Sequence, residues 1–79
     1  MINELDQVVL REDIPESGLK AGDVGTVVLI HQGGKGFELE FVALDGETIA
    51  IVSVSAVQVR PVKPREIPRA RAVEVPLSA

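Results

Sequence analysis

Apolar residues recur at every second position in several short segments of this chain, the period of a β-strand that buries one face. Residues 37–44 show the pattern most clearly, because Phe37, Leu39 and Phe41 alternate with acidic residues. Segments of convincing helical period are missing from the sequence. We therefore predict strands over residues 5–11, 24–31, 37–44 and 47–55, and a short fifth strand within AVQVRPV at residues 56–62.

The connection between the first two predicted strands is long and is broken by Pro15, Gly18 and Gly22. It nevertheless contains the large aliphatic residues Ile14 and Leu19, which we expect to anchor the loop on the sheet. Asp23 closes the connection, and we expect its carboxylate to cap the turn through the local backbone.

Glycine marks three further features of the predicted sheet. QGGKG at residues 32–36 predicts a hairpin turn. Asp45 and Gly46 predict a type I′ hairpin, in which both central residues have positive φ. Gly25 lies inside the second strand, which indicates either a bend or the close approach of another backbone. A single helical turn near Ser55 is expected before the last strand.

The order of these elements is strand, long loop, three-strand meander, one-turn helix and final strand, which is the plan of SH3-like proteins. The predicted fold class is therefore all-β, a small five-stranded SH3-like barrel over residues 1–62. Side chains fill the interior of so small a barrel, so we expect no internal ligand cavity. Residues 63–79 are predicted to form an extended basic tail interrupted by prolines. RARAVEVPL at residues 69–77 alternates well enough to pair as a strand.

The distribution of charge also divides the chain near the boundary between the predicted barrel and the predicted tail. Residues 1–59 carry ten acidic and three basic residues, a net charge of −7, whereas residues 60–79 carry a net charge of +3. This asymmetry between an acidic body and a basic tail is informative about the partners of the protein and says little about its fold. The chain lacks cysteine, a signal-peptide pattern and an apolar run of the roughly 20 residues that span a bilayer. We expect a cytoplasmic protein without membrane contact.

Candidate catalytic and ligand-binding patterns are weak. GGKG at residues 33–36 lacks the spacing of a phosphate-binding loop and precedes a strand. His31 is the only histidine and has no nucleophile paired with it by motif. The acidic cluster Glu12, Asp13 and Glu16 lacks the EF-hand pattern and is either a solvated loop or a contact for a basic partner. We expect no enzyme activity, no metal and no cofactor.

The stretches GLKAGDVGTVV, FELEFVALDGETIAIV and VRPV resemble the domain of unknown function 4926 family of small bacterial proteins. The resemblance covers roughly residues 4–62 and implies a small SH3-like barrel of unassigned function. Family members often lie beside other small genes in the manner of toxin–antitoxin or immunity pairs, which implies a protein partner. The segment GDVGTVV is also similar to short turns in RNA-binding SH3-like proteins and in small barrel subunits of oxidoreductases.

These observations favour a non-catalytic protein-interaction module, possessing antitoxin-like or immunity-like character, that binds a partner through the barrel edge and the tail. The candidate partner-binding residues are Arg65, Arg69, Arg71, Val73 and Val75. A nucleic-acid-binding accessory protein and a small accessory subunit of a larger enzyme are the alternatives. Nucleic acid is disfavoured by the acidic body and the scarcity of aromatic residues. Folding of the tail onto the acidic barrel, docking on an acidic partner and a homo-oligomer through the tail all remain open.

Overall fold

The computed structural model describes residues 1–74 and shows an all-β chain whose five antiparallel strands form one barrel-like sheet. The strands are β1 (Gln7–Leu10), β2 (Val24–His31), β3 (Gly36–Val42), β4 (Thr48–Ser55) and β5 (Val59–Pro61). Their order across the sheet is β4-β3-β2-β1-β5, so the meander β2-β3-β4 is extended by β1 and β5. The predicted element order is confirmed, although β1, β3 and β4 are shorter than the sequence pattern suggested.

The core is built from the inward-facing positions that the alternation predicted. Phe37, Leu39 and Phe41 of β3 are buried, whereas the intervening glutamates are not. Ten apolar side chains are buried in all, and among residues 1–74 no charged or polar side chain is. Apolar burial is the main favourable contribution to folding in such a domain. The sheet bends around this core at two register shifts, between Val27 and Leu29 in β2 and between Phe41 and Val42 in β3.

Gly25 is required by the ring of Phe41. A Cβ atom placed on Gly25 would lie 2.7 Å from the ring carbon Cζ, closer than two carbon atoms can approach. The sequence predicted a bend or a close approach at this glycine. The structure shows that the approaching group is an aromatic side chain of the neighbouring core rather than another backbone.

The loop before β2 is anchored as predicted. Ile14 and Leu19 pair as an isolated β-bridge, and Leu19 is 2% exposed. Between them lies one turn of 3-10 helix, Pro15–Ser17, which ends at Gly18 in the left-handed conformation. The carboxylate of Asp23 accepts a hydrogen bond from the backbone amide of Lys20 at 2.8 Å, so the expected local cap is present.

The hairpin between β3 and β4 differs from the prediction. Gly46 has a φ of 97°, but Asp45 is not among the residues with positive φ, so the turn is not type I′. The amide of Gly46 donates to the carbonyl of Ala43, and the amide of Ala43 donates to the carbonyl of Glu47. A tight turn followed by a left-handed glycine joins strands through a longer loop than two residues. The hairpin loop therefore starts at Ala43, two residues before the Asp-Gly pair.

The C-terminal segment contains the predicted single helical turn and then the tail. A 3-10 turn, Ala56–Gln58, leads into β5. Residues 63–74 form neither a strand nor a helix, so the strand pattern of residues 69–77 is not realised over its described part. None of the helical turns between residues 1 and 74 has the length or the apolar character to cross a membrane.

Candidate functional site

Among the residues that the structure describes, the outer edge of β4 is the longest unpaired strand edge of the sheet. Within residues 1–74, β4 pairs with β3 alone, because it stands at the end of the strand order. Its eight residues, TIAIVSVS, include no charged residue and no proline. Proteins usually block an exposed edge with charges, proline or a covering segment. This edge contains neither charged residues nor proline.

Three residues of β4 direct their backbone groups away from β3. The amide of Ala56 donates to the carbonyl of Lys35 at 2.9 Å, which sets the alternation of hydrogen-bonded pairs along β3 and β4. By that alternation the amides and carbonyls of Ile51, Ser53 and Ser55 point outwards. The Ser55 amide is satisfied by the side-chain oxygen of Gln58 at 2.8 Å. Ile51 and Ser53 therefore present the free part of the edge.

The side chains beside this edge combine apolar and acidic character. Ile51 is 60% exposed and lies opposite Glu40, while Ser53 lies opposite Glu38. Glu40 accepts a hydrogen bond from the hydroxyl of Thr48 at 2.8 Å. The imidazole of His31 is 3.7 Å from the carboxylate of Glu38. The outer face next to β4 thus offers one exposed aliphatic side chain and two carboxylates.

The tail begins with a turn that is held by an ion pair. The two terminal guanidinium nitrogens of Arg60, Nη1 and Nη2, donate to the carboxylate of Glu66 at 2.9 and 2.7 Å. The same carboxylate accepts from the backbone amide of Lys63. These hydrogen bonds lower the pKa of Glu66 to about 2 and raise the pKa of Arg60. Arg65 lies within this turn at a φ of 69°, a left-handed conformation that favours glycine.

Further along, the tail attaches to the first loop through Arg71. Its Nε donates to one carboxylate oxygen of Asp23 at 2.9 Å, and its Nη2 donates to the other and to the carbonyl of Gly18 at 3.2 Å. Arg71 and Asp23 are only 19% and 16% exposed at their side chains. Burial alone raises the pKa of Asp23, but the hydrogen bonds from Arg71 and Lys20 outweigh it, so the pKa is lowered.

The backbone after Arg71 packs closely on the corner at Gly18. A Cβ atom at Gly18 would lie 2.6 Å from the carbonyl oxygen of Glu74 and 3.3 Å from a methyl group of Val73. Gly18 also has a φ of 70°, so two independent constraints favour glycine there. Glycine at position 18 therefore leaves the space in which the backbone of the tail packs on the barrel.

An open groove of about 800 Å³ separates the middle of the tail from the barrel. Val9, Val24, Phe41 and Ile49 are among the apolar residues that line it. Val9 belongs to the face of β1 opposite the main core and is nevertheless buried. The sequence predicted no ligand cavity inside the barrel. This groove lies outside the barrel, between the barrel and the tail.

The five predicted partner-binding residues fall into three groups. Arg65 and Arg69 are exposed and make no ion pair with any residue between 1 and 74. Arg71 and Val73 are half-buried against the protein's own first loop. Val75 lies outside the described residues. The structure therefore does not bring the five together into one exposed surface.

Sequence reasoning missed Glu66 and the specific role of Asp23. A signal was present for Glu66, because it is one of two acidic residues in a basic segment and lies six residues after Arg60. The acidic cluster of the first loop is partly structural, since Asp13 accepts from the amide of Ala21 and Glu12 from the amide side chain of Gln58. Residues 1–74 contain no cluster of three metal-ligating side chains.

Comparison with known proteins identifies the family of the barrel. Neither a curated protein nor a solved structure matches the chain. The family model described as Domain of unknown function (DUF4926) matches residues 4–61, which run from the segment before β1 to the last residue of β5. The matched region contains the whole sheet and excludes the tail. This chain therefore belongs to the DUF4926 family.

Proposed function

We propose that this protein is a non-catalytic interaction module that binds a partner protein by accepting one of its strands on the outer edge of β4. The observation that carries the proposal is the eight-residue edge strand without charge or proline. An extended segment adds to such an edge through main-chain hydrogen bonds, and its side chains supply the specificity. Ile51 and Ser53 offer the backbone donors and acceptors for this pairing.

The chemistry of the outer face favours a basic partner strand. Glu38 and Glu40 stand next to the edge on β3, and residues 1–59 carry a net charge of −7. Opposite charge across an interface raises the association rate and disfavours wrong partners. A partner strand that carries Lys or Arg beside an apolar residue for Ile51 fits this face. A toxin-like cytoplasmic protein, neutralised by the covering of its functional surface, is the partner class that we favour.

The tail supplies a second contact in this proposal. Arg65 and Arg69 are exposed and can reach acidic groups on a bound partner. Arg71 and Val73 become available only if they leave Asp23 and Gly18. Val75 remains a candidate from the sequence alone. The nucleic-acid alternative is less well supported, because Phe37 and Phe41, which could stack on bases, are buried.

Substitution of Ser53 tests the edge directly. Its amide points away from β3, so Ser53→Pro removes an outward donor without removing a ladder hydrogen bond, and Ser53→Ala is the matched control. Tagged full-length variants are used to capture partners from native cell lysate with nuclease, at low and high salt. We expect one protein at fixed stoichiometry with Ser53→Ala and its loss with Ser53→Pro, while both retain the same circular dichroism.

Four outcomes contradict parts of the proposal or point to an alternative. Equal capture by both Ser53 variants, or capture by neither, rules out strand addition at β4. Captured material that disappears when nuclease is added and when the salt concentration is raised supports a nucleic-acid partner instead. If the double variant Arg65→Ala/Arg69→Ala binds the captured protein as well as the parent does, these two arginines take no part. Identification of a cofactor-bearing chain in the complex points to the accessory-subunit alternative.

A further inference from the structure

Residues 67–74, which we call the strap, attach to the barrel only near their far end. The turn that precedes them is closed locally, because Glu66 binds Arg60 and Lys63. Arg71 then binds Asp23 and Gly18, residues that precede it by 48 and 53 positions. Ile67, Pro68, Arg69 and Ala70 between these attachments are exposed. The strap is thus a segment without helix or strand that is seated by one ion pair and one close backbone contact.

These contacts do not require that strap and barrel belong to the same copy. An element that binds a chain-distant surface of its own protein can bind the same surface of a second copy with identical contacts. Eight extended residues span about 26 Å at roughly 3.3 Å per residue. The shortest dimension of the protein is 21 Å. The strap is therefore long enough to reach a neighbouring copy once its turn opens.

Two features of the chain favour such an exchange. Arg65 holds the turn in a left-handed conformation, which is strained for a residue other than glycine. Strained hinge segments are the ones from which elements swap. The second feature is charge, since the acidic body of one copy is complementary to the basic tail of another.

We propose that the strap exchanges between two copies of this chain, giving a symmetric dimer in which Arg71 of each copy binds Asp23 and Gly18 of the other. The inference is independent of the binding proposed for β4, because it uses the opposite end of the strand order and the first loop. A failure of one leaves the other standing, and Ser53→Pro is expected to leave this dimer unchanged.

Charge reversal tests the exchange by complementation. Full-length Asp23→Arg and Arg71→Asp each place like charges at the strap contact, so neither forms the contact within itself or with its own kind. In a mixture, a swapped heterodimer restores opposite charges at both contacts. We expect native mass spectrometry of the mixture to show a dimer with one chain of each kind, and each variant alone to be monomeric. The double variant Asp23→Arg/Arg71→Asp is expected to dimerise like the parent.

A milder pair of variants covers the case in which a reversed charge prevents folding. Arg65→Gly removes the backbone strain of the closed turn, and Arg65→Ala, which keeps that strain, is the matched control. Sedimentation equilibrium over a concentration series is expected to show dimers for the parent and for Arg65→Ala. The dissociation constant for Arg65→Gly should rise by at least about tenfold, because the strain that the exchange relieves is then absent from both chains, whereas the strap contacts are the same in monomer and dimer. A parent that stays monomeric at every concentration, or equal constants for the two Arg65 variants, overturns the exchange.

Discussion

The barrel and the tail are held by different forces. The barrel, residues 7–61, buries ten apolar side chains and pairs its strands through backbone hydrogen bonds. Only Arg71 and Val73 are even half-buried within residues 63–74, and two ion pairs attach this segment. Apolar burial changes little with pH, whereas ion pairs depend on the ionisation of both partners. The two regions of one small chain should therefore respond to different perturbations.

The family match divides the chain at nearly the same point. It covers residues 4–61, and β5 ends at Pro61. The first loop is the exception to this division, because Gly18 and Asp23 lie within the matched region but contact the tail. A substitution in the first loop of the barrel is therefore expected to affect the attachment of the tail.

The largest expected effect is in the barrel core. Phe41 is 4% exposed and its ring covers Gly25, so Phe41→Ala removes a fully packed aromatic side chain. We expect the free energy of unfolding in urea to fall by roughly 3–5 kcal/mol. Leu44→Ala is the control, because Leu44 is 85% exposed, and should change stability by no more than about 0.5 kcal/mol. Similar losses for the two variants would mean that the barrel is not held by this core.

A smaller effect is expected at the corner where the tail contacts the barrel. Gly18 and Gly22 both have positive φ, at 70° and 94°, so alanine strains the backbone at either position by roughly 1–2 kcal/mol. Only at Gly18 does the added methyl group collide with the tail, since Gly22 has no atom within 4 Å of its Cβ position.

Limited trypsin digestion separates these two contributions. Gly18→Ala should expose Arg71 and speed cleavage after it, whereas Gly22→Ala should leave the rate near that of the parent. Urea unfolding of both variants reports the shared backbone strain. Equal protection of Arg71 in the two variants would show that the tail does not depend on the Gly18 corner.

The smallest expected effect is a selective release of the tail in acid. The pKa of Glu66 falls from 4.5 to about 2 in the folded protein, and the pKa of Asp23 is also lowered. A group whose pKa is lowered on folding contributes stability above its unfolded pKa and loses it as the pH falls through the folded value. Attachment of the tail should therefore be complete above about pH 4.5 and weaken from there down to about pH 2.

Amide chemical shifts followed by NMR from pH 6 to pH 2 can resolve the two regions. Residues 66–74 are expected to move towards random-coil values while β2 and β3 keep their dispersion. Glu66→Gln should remove the part of the transition that belongs to the first turn of the tail. Simultaneous loss of strand and tail signals would contradict the distinction between the two regions.

Local patterns predicted the strands because they depend on local geometry. A period of two places alternate side chains on one face, so the buried positions of β3 could be assigned without knowledge of its neighbours. The same reasoning failed at the β3–β4 hairpin. Asp45 and Gly46 are compatible with several turn types, and the pairing of Ala43 with Glu47 selects among them.

By itself, the sequence determined an all-β chain with five strands, an anchored first loop and a basic tail. Only the tertiary structure decided that β4 stands at a free edge, because an edge is a property of strand order. Only the structure paired Arg71 with Asp23 across 48 residues. Five basic residues near the C-terminus and ten acidic residues in the body allow many ion pairs. The path of the backbone past Gly18 selects one of them, and that path depends on how the whole sheet folds.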